Sequence, residues 1–237
     1  MIDRRRFLAE LGLGTIAAAA LAGCNSYGPK WAHGTLDFAE RENEGVERFL
    51  FRHTSMDIAG RNAKNAGAAF PMYFIADTVP MWDARANGIW RLEVSGMVAA
   101  PRTFTLEELA RLPSVTQRVN HYCVEGWTAV AAWTGVRLSD LAAIVRPAPD
   151  ARYVDFQSFD NGYHESWDIE SAMHRQTLIA YGMDGHWLGA PHGGPARVYS
   201  PVKLGYKNTK YLTKIVFLPQ RNGGYWSDQG YEWYGGV

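Results

Sequence analysis

His121-Tyr-Cys-Val-Glu-Gly-Trp127 contains the residue that decides how this chain is read. Cys123 is one of only two cysteines in 237 residues, and the other, Cys24, lies in the leader. A second stretch, His192-Gly-Gly-Pro-Ala-Arg-Val-Tyr-Ser-Pro-Val-Lys-Leu-Gly-Tyr-Lys-Asn-Thr-Lys210, alternates basic side chains with glycines and prolines. Together they suggest a thiolate that ligates a metal and a loop that holds an anionic cofactor. Taken singly, each has a plainer reading. A free cysteine often serves as a small buried hydrophobe, and a lysine-rich loop is often solvated surface.

Outward from Cys123 the pattern is one of many short elements. Val115–Val119 reads as a strand that delivers Cys123 at its exit, and Trp90–Ser95 alternates with period two as a strand does. Thr105-Leu-Glu-Glu108 is a capping box that opens a short helix to about Leu112. Leu138–Val145 is apolar at helical spacing, Tyr153–Phe159 and Tyr211–Leu218 read as strands, and Ile169–Met173 begins another short helix. Leu178–Met183 and His186–Leu188 flank Asp184-Gly185, a dipeptide suited to the positive φ of a two-residue hairpin turn. Long helices are not expected, and strands do not alternate regularly with helices. The predicted class is α+β, sheet-rich, with mixed strands and short helices.

The first residues concern export. Arg4-Arg5-x-Phe-Leu, followed by a short Ala- and Gly-rich run from Leu11 to Ala22, fits a twin-arginine signal peptide rather than a transmembrane helix, with Asp3 where Ser or Thr is usual. An ordinary basic n-region for the unfolded-chain route is the alternative. Leu21-Ala-Gly-Cys24 matches a bacterial lipobox, which would lipidate Cys24, while Ala20-Leu-Ala22 also satisfies the A-x-A rule of soluble cleavage. The expected organisation is a leader over 1–23, an N-terminal extension over 24–73 and one domain over 74–237, in a periplasmic and lipid-anchored protein. Removing the leader takes three arginines and two acids from the 24 basic and 24 acidic residues, leaving a net charge near −1. That balance gives no electrostatic case for nucleic acid. One mature cysteine besides Cys24 builds no disulfide framework.

With these elements placed, four ordered motifs carry a resemblance: Cys123-Val-Glu-Gly-Trp127, Trp133-Thr-Gly-Val-Arg-Leu-Ser-Asp-Leu141, Gly189-Ala-Pro-His-Gly-Gly-Pro-Ala-Arg197 and Pro201-Val-Lys-Leu-Gly-Tyr-Lys207. From about Phe74 to Leu218 the chain resembles the molybdopterin-binding domain of the sulfite oxidase family, in the branch that holds the periplasmic methionine sulfoxide reductase catalytic subunit. The resemblance implies a Mo-molybdopterin cofactor, with Cys123 as the protein's metal ligand and Cys123 and Glu125 as the catalytic positions. It implies pterin contacts from His192 and Arg197, a hydroxyl contact from Ser158, and a grip on the terminal phosphate from Asn208, Thr209 and Lys210. Lys203 and Lys207 are candidate helpers. Asp77 and Thr78 stand where sulfite oxidases carry an Arg-Asn-His contact, from which this chain departs.

The departures bear on substrate. Sulfite oxidases surround the metal with arginines, whereas this chain has Glu125. Like charges 4 Å apart at an effective dielectric of about 20 repel by roughly 4 kcal/mol, so a carboxylate there favours a neutral S-oxide or N-oxide over sulfite. A structural hydrogen bond to nearby backbone is the other reading of Glu125. Trp127 and Trp133 read as core or pocket wall. The function expected is oxygen-atom transfer with electrons exchanged with a separate partner, a membrane b-type cytochrome by the resemblance, since no C-x-x-C-H haem motif occurs. Two other readings stay open here. Nine tryptophans and many glycines suit a sugar-stacking, non-catalytic binding lipoprotein, and His121 with Cys123 suits a copper site lacking its usual downstream Cys-His-Met spacing.

Overall fold

Ten strands make two five-stranded sheets in a computed structural model that describes residue 31, residues 33–51 and residues 69–237. The export leader, the lipobox and Cys24 lie outside the described residues. In the first sheet β1 (Arg91–Gly96) pairs antiparallel with β2 (Arg102–Thr105) and parallel with β10 (Leu212–Leu218). The sheet continues antiparallel through β5 (Tyr153–Ser158) to β6 (His164–Asp168). The second is antiparallel throughout: β3 (Ser114–Tyr122), β4 (Thr128–Arg137), β7 (Leu178–Met183) and β8 (His186–Trp187), with β9 (Arg197–Tyr199) also on β7.

Local chemistry explains most of the predicted elements. Thr105 Oγ1 accepts from the Glu108 amide at 3.2 Å while Glu108 Oε2 accepts from the Thr105 amide at 2.8 Å, so the capping box forms in full and starts the helix Leu106–Arg111. Leu138–Val145 is a helix with Leu138, Leu141, Ala142 and Val145 buried, its apolar face laid on the first sheet's core of Leu92, Val94, Val154, Phe156, Trp167, Ile215 and Phe217. Asp184 and Gly185 turn β7 into β8 at φ 50° and 82°, as the Asp-Gly pair predicts. A smaller core of Val119, Ala131, Trp133, Leu178, Ala180 and Tyr199 lies against the second sheet.

Four strands were not legible in the sequence. β4 is mostly buried along its length, so Thr-Ala-Val-Ala-Ala-Trp-Thr-Gly-Val-Arg lacks the alternation of a half-exposed strand. At Gly135 the β7 backbone at Ile179 comes so close that a Cβ would collide with it, and the register shifts there. β6, His-Glu-Ser-Trp-Asp, looks solvent-facing yet buries Glu165, Ser166 and Asp168 because each has a partner elsewhere in the chain. β2 and β9 are too short to show a period. One expectation is corrected. A 19-residue helix, His33–Phe51, occupies part of the segment assigned to an extension, so long helices are present. Its two glycines and seven acidic or basic side chains hid it from a search for apolar stripes.

After β10 the chain forms no further strand and wraps back over β6. Lys207 Nζ meets Glu165 Oε2 at 2.5 Å with both side chains fully buried, and Glu165 also accepts from the Trp226 amide at 3.1 Å and from Ser227 Oγ at 3.3 Å. Lys203 Nζ meets Asp168 Oδ2 at 3.1 Å and the Tyr234 carbonyl at 2.6 Å. These two pairs hold the C-terminal segment in place, which fixes one wall of the site.

Candidate active site

Cys123 begins the loop that joins β3 to β4. Its amide donates to the Trp127 carbonyl at 3.0 Å, its carbonyl accepts from Gly126 N at 3.0 Å, and Gly126 takes φ 87° to make the turn. The thiol therefore sits at a hairpin tip, part-exposed, facing a cavity of about 420 Å³. Glu125 Oε2 accepts from Trp127 Nε1 at 2.9 Å and lies 3.7 Å from Cys123 Sγ. The partner of this carboxylate is thus an indole in its own loop, and no ion pair neutralises it among the described residues. Burial, with Glu125 adding, raises the Cys123 thiol above its ordinary range, so coordination rather than its surroundings must deprotonate it.

Tyr73 packs beside this loop. Its ring stacks on Trp127 at 5.9 Å and 17°, and its carbonyl accepts from Lys210 Nζ. Phe70, Pro71, Tyr73, Phe74 and Ile75 all line the cavity. The first three fall before the expected domain start at residue 74 and the other two adjoin it, and apolar side chains in a connecting segment carry no chemical signature, so all five were missed.

The region of the cavity around Arg197 and Lys210 is cationic. Arg197 is fully buried and forms no ion pair among the described residues. It donates to the carbonyls of His192 at 3.0 Å and Asn208 at 2.8 Å and packs on the Trp133 ring at 5.1 Å. Burial brings it down to about 10, still charged at neutral pH. Lys210, brought down to about 7 by burial and by Arg197 against the pull of Asp160, also lines the cavity. A buried cation without an anion is costly, so this region is built for a ligand that brings negative charge. Three polar atoms around it, His192 Nδ1, Thr209 Oγ1 and Tyr211 Oη, are buried without a hydrogen-bond partner among the described residues. Gly205 leaves room beside the cavity, since a Cβ there would lie 2.7 Å from His121 Nε2. A flat, polar, anionic group carrying a soft metal fits this donor set, with Cys123 for the metal and Arg197 and Lys210 for the negative charge.

Cys123, Glu125, Ser158, Arg197, Asn208 and Lys210 are brought together on the cavity wall. Ser158 Oγ is engaged by the Asp160 amide at 2.8 Å, and Asn208 Oδ1 by the Ser200 amide at 2.6 Å. His192 stands behind Phe70, ring to ring at 5.7 Å, and Thr209 lies between two wall residues without reaching the wall itself. Three further candidates also lie off the wall. Lys203 does not line the cavity, because its ammonium is committed to Asp168 and Tyr234 in the interior. Asp77 and Thr78 are exposed and also lie off the wall. Lys207, the other helper, is spent on Glu165.

Sequence reading passed over Asp160 and the aromatic wall of Tyr163, Tyr206, Tyr225, Trp226 and Tyr231, and it named His121 only as a copper ligand. His121 lies between Phe70, Trp127 and Tyr199, and burial takes it down to about 3, so its imidazole is neutral. Trp90, Trp133, Trp167 and Trp233 are core residues, so four of the nine tryptophans are not available to stack on a sugar. Among the described residues no cluster of three or more His, Cys, Asp or Glu is placed to hold a metal, which leaves the copper reading without ligands.

The family described as oxidoreductase molybdopterin binding domain matches residues 77–226. A protein of Azospira oryzae with the provisional name protein-methionine-sulfoxide reductase subunit YedZ1 is 37% identical over 98% of this chain and 87% of its own length. The protein-methionine-sulfoxide reductase catalytic subunit MsrP of Ralstonia nicotianae is 32% identical over 58% of this chain and 46% of its own, so the chain spans about half of that relative. The crystal structure of the sulfane dehydrogenase SoxCD from Paracoccus pantotrophus shares the fold, with a TM-score of 0.53 at 24% identity over 56% of this chain and 39% of that one.

Proposed function

The chain belongs to the oxidoreductase molybdopterin-binding domain family, and on that premise we propose that it reduces a neutral S-oxide, with a protein-bound methionine sulfoxide as the substrate to which the names of its relatives point. The observation that carries the choice of substrate is Glu125, an unneutralised carboxylate 3.7 Å from Cys123 Sγ. Bound Mo-molybdopterin would supply the two electrons and take up the oxygen atom. The rest falls to the chain. Cys123 would hold the metal, and Arg197 and Lys210 the negative charge, with Asn208 and Ser158 on the cavity wall. Glu125, fixed by Trp127, repels anions at the mouth and leaves a neutral S=O dipole unopposed. Overall, one sulfoxide takes up two electrons and two protons, its sulfur–oxygen bond breaks, and a thioether and one water leave. The electrons come from a separate redox partner, a membrane b-type cytochrome.

The deciding experiment is Glu125→Gln in molybdenum-quantified protein. The substitution keeps the acceptor for Trp127 Nε1 and removes the charge. It is expected to lower sulfoxide reduction about tenfold or more and to raise the affinity for sulfite, both read in steady-state assays. A wild-type enzyme that oxidises sulfite efficiently and leaves sulfoxides untouched would overturn the reading.

We also infer export with the cofactor already in place. Arg4-Arg5 suits a route for folded proteins, and Cys24 would then anchor the chain at a periplasmic membrane face. Replacing both arginines with lysine is expected to strand loaded precursor in the cytoplasm. Undiminished periplasmic activity would count against the twin-arginine route. Among the described residues no helix is long and apolar enough to cross a membrane.

A further inference from the structure

The helix His33–Phe51 packs with its faces reversed. Its partly covered side chains are charged: Arg221 of the domain pairs with Glu40 at 2.8 Å and with Glu44 at 3.7 Å, and Arg48 pairs with Glu170 at 3.4 Å. Glu47 shares that stripe, one Oε buried. Positions 40, 44, 47 and 48 follow the helical repeat, so one polar face is laid on the domain. On the opposite face Phe38 is 63% exposed, Val46 54% and Leu50 65%, and Trp31, just before the helix, is 86% exposed. An amphipathic helix on a domain ordinarily buries its apolar stripe. Here Glu40 and Glu44 are neutralised inward while Phe38, Val46 and Leu50 are presented outward around Glu42, an arrangement that leaves apolar side chains in need of a cover.

We propose that this face lies in the interfacial layer of a lipid bilayer, parallel to the membrane plane. Two features favour lipid over another protein. Cys24, the lipobox cysteine, is seven residues before Trp31, a span of at most about 25 Å, so an acyl anchor there would hold the helix within reach of the headgroups. The outward residues, Trp, Leu, Phe and Val with Thr35, Asn43 and Glu42 between them, have the make-up of an interface-lying helix rather than of a spanning one. Anchored this way, the domain would ride on the membrane by two contacts, which is the number stable attachment requires.

The test separates this contact from the acyl chain. Holoprotein carrying Cys24→Ser, with no lipid attached, is expected to co-sediment with zwitterionic phosphatidylcholine vesicles. Adding Phe38→Glu and Leu50→Glu is expected to reduce the bound fraction at least about tenfold, with molybdenum content and thermal midpoint unchanged. Anionic lipid is expected not to strengthen binding, since the helix carries more acids than bases. Equal sedimentation of both proteins, or none of either, overturns the proposal. So does a dimer of the Cys24→Ser protein that dissociates on the double substitution, which would make the face a contact between copies. Neither the substrate reading nor Cys24 lipidation is at stake in these outcomes.

Discussion

Cys123→Ser is expected to yield a folded protein that has lost its turnover by more than about a thousandfold, an effect of at least about 4 kcal/mol on the barrier. The backbone of the loop does not depend on sulfur, since the Cys123 amide and carbonyl are tied to Trp127 and Gly126. The side chain is part-exposed, so the cost in stability is expected to stay within about 1 kcal/mol, or roughly 2–4 °C in the midpoint for a domain of this size. Chemistry suffers because a serine hydroxyl is not deprotonated near neutral pH and offers a hard oxygen where a soft thiolate donor is needed. Arg197 and Lys210 are untouched, so pterin is expected to remain while bound molybdenum falls. Mass spectrometry of the metal and fluorescence of the released pterin read these separately. Wild-type protein without molybdenum, or a fully active variant, would remove Cys123 from the metal site.

The pattern of what was legible follows from where information sits in a chain. Elements set by neighbours in sequence were readable: the capping box at Thr105 and Glu108, the Asp184-Gly185 turn and the helix Leu138–Val145 depend on spacings of one to four residues. Elements set by distant partners were not. β6 is a strand because Lys203 and Lys207 lie opposite its Asp168 and Glu165, and no local rule announces a buried carboxylate whose cation is 35 or 42 residues away. Those same contacts explain why two lysines of the basic stretch looked like ligand-binding residues. A lysine in a glycine-rich loop reads alike whether it meets a phosphate or an interior acid, and only packing tells them apart.

The cavity shows the same division. Cys123, Arg197, Asn208 and Lys210 were found through motifs, and the structure gathers them on one wall. The matched family segment ends at residue 226. Parts of the wall therefore come from outside it, Phe70–Ile75 before its start and Tyr231 beyond its end. Aromatic side chains in segments without period look like ordinary packing, so the residues that shape the mouth were the least visible in sequence. Glu125 lies between these cases: its identity was informative, while its partner, Trp127 rather than backbone, became known only from geometry.

Lys207→Met is expected to be the most destabilising single change in the domain short of emptying its core. It leaves Glu165 fully buried without its counter-charge, at a cost of about 3–5 kcal/mol, or roughly 6–20 °C in the thermal midpoint. The damage is also directional. Glu165 holds the Trp226 amide and Ser227 Oγ, so loosening it is expected to free the segment that carries Tyr225, Trp226 and Tyr231 to the cavity wall. Limited proteolysis should then cut near residues 223–231 before the sheets unfold. The double variant Lys207→Met/Glu165→Gln removes the stranded charge and is expected to recover part of the loss, since replacing both partners of a buried pair costs less than removing one. If the single variant melts with the wild type, the pair contributes nothing to stability. If the double is no better than the single, the cost lies in packing around Lys207, whose ammonium also faces the Trp233 ring at 5.3 Å, and not in the charge.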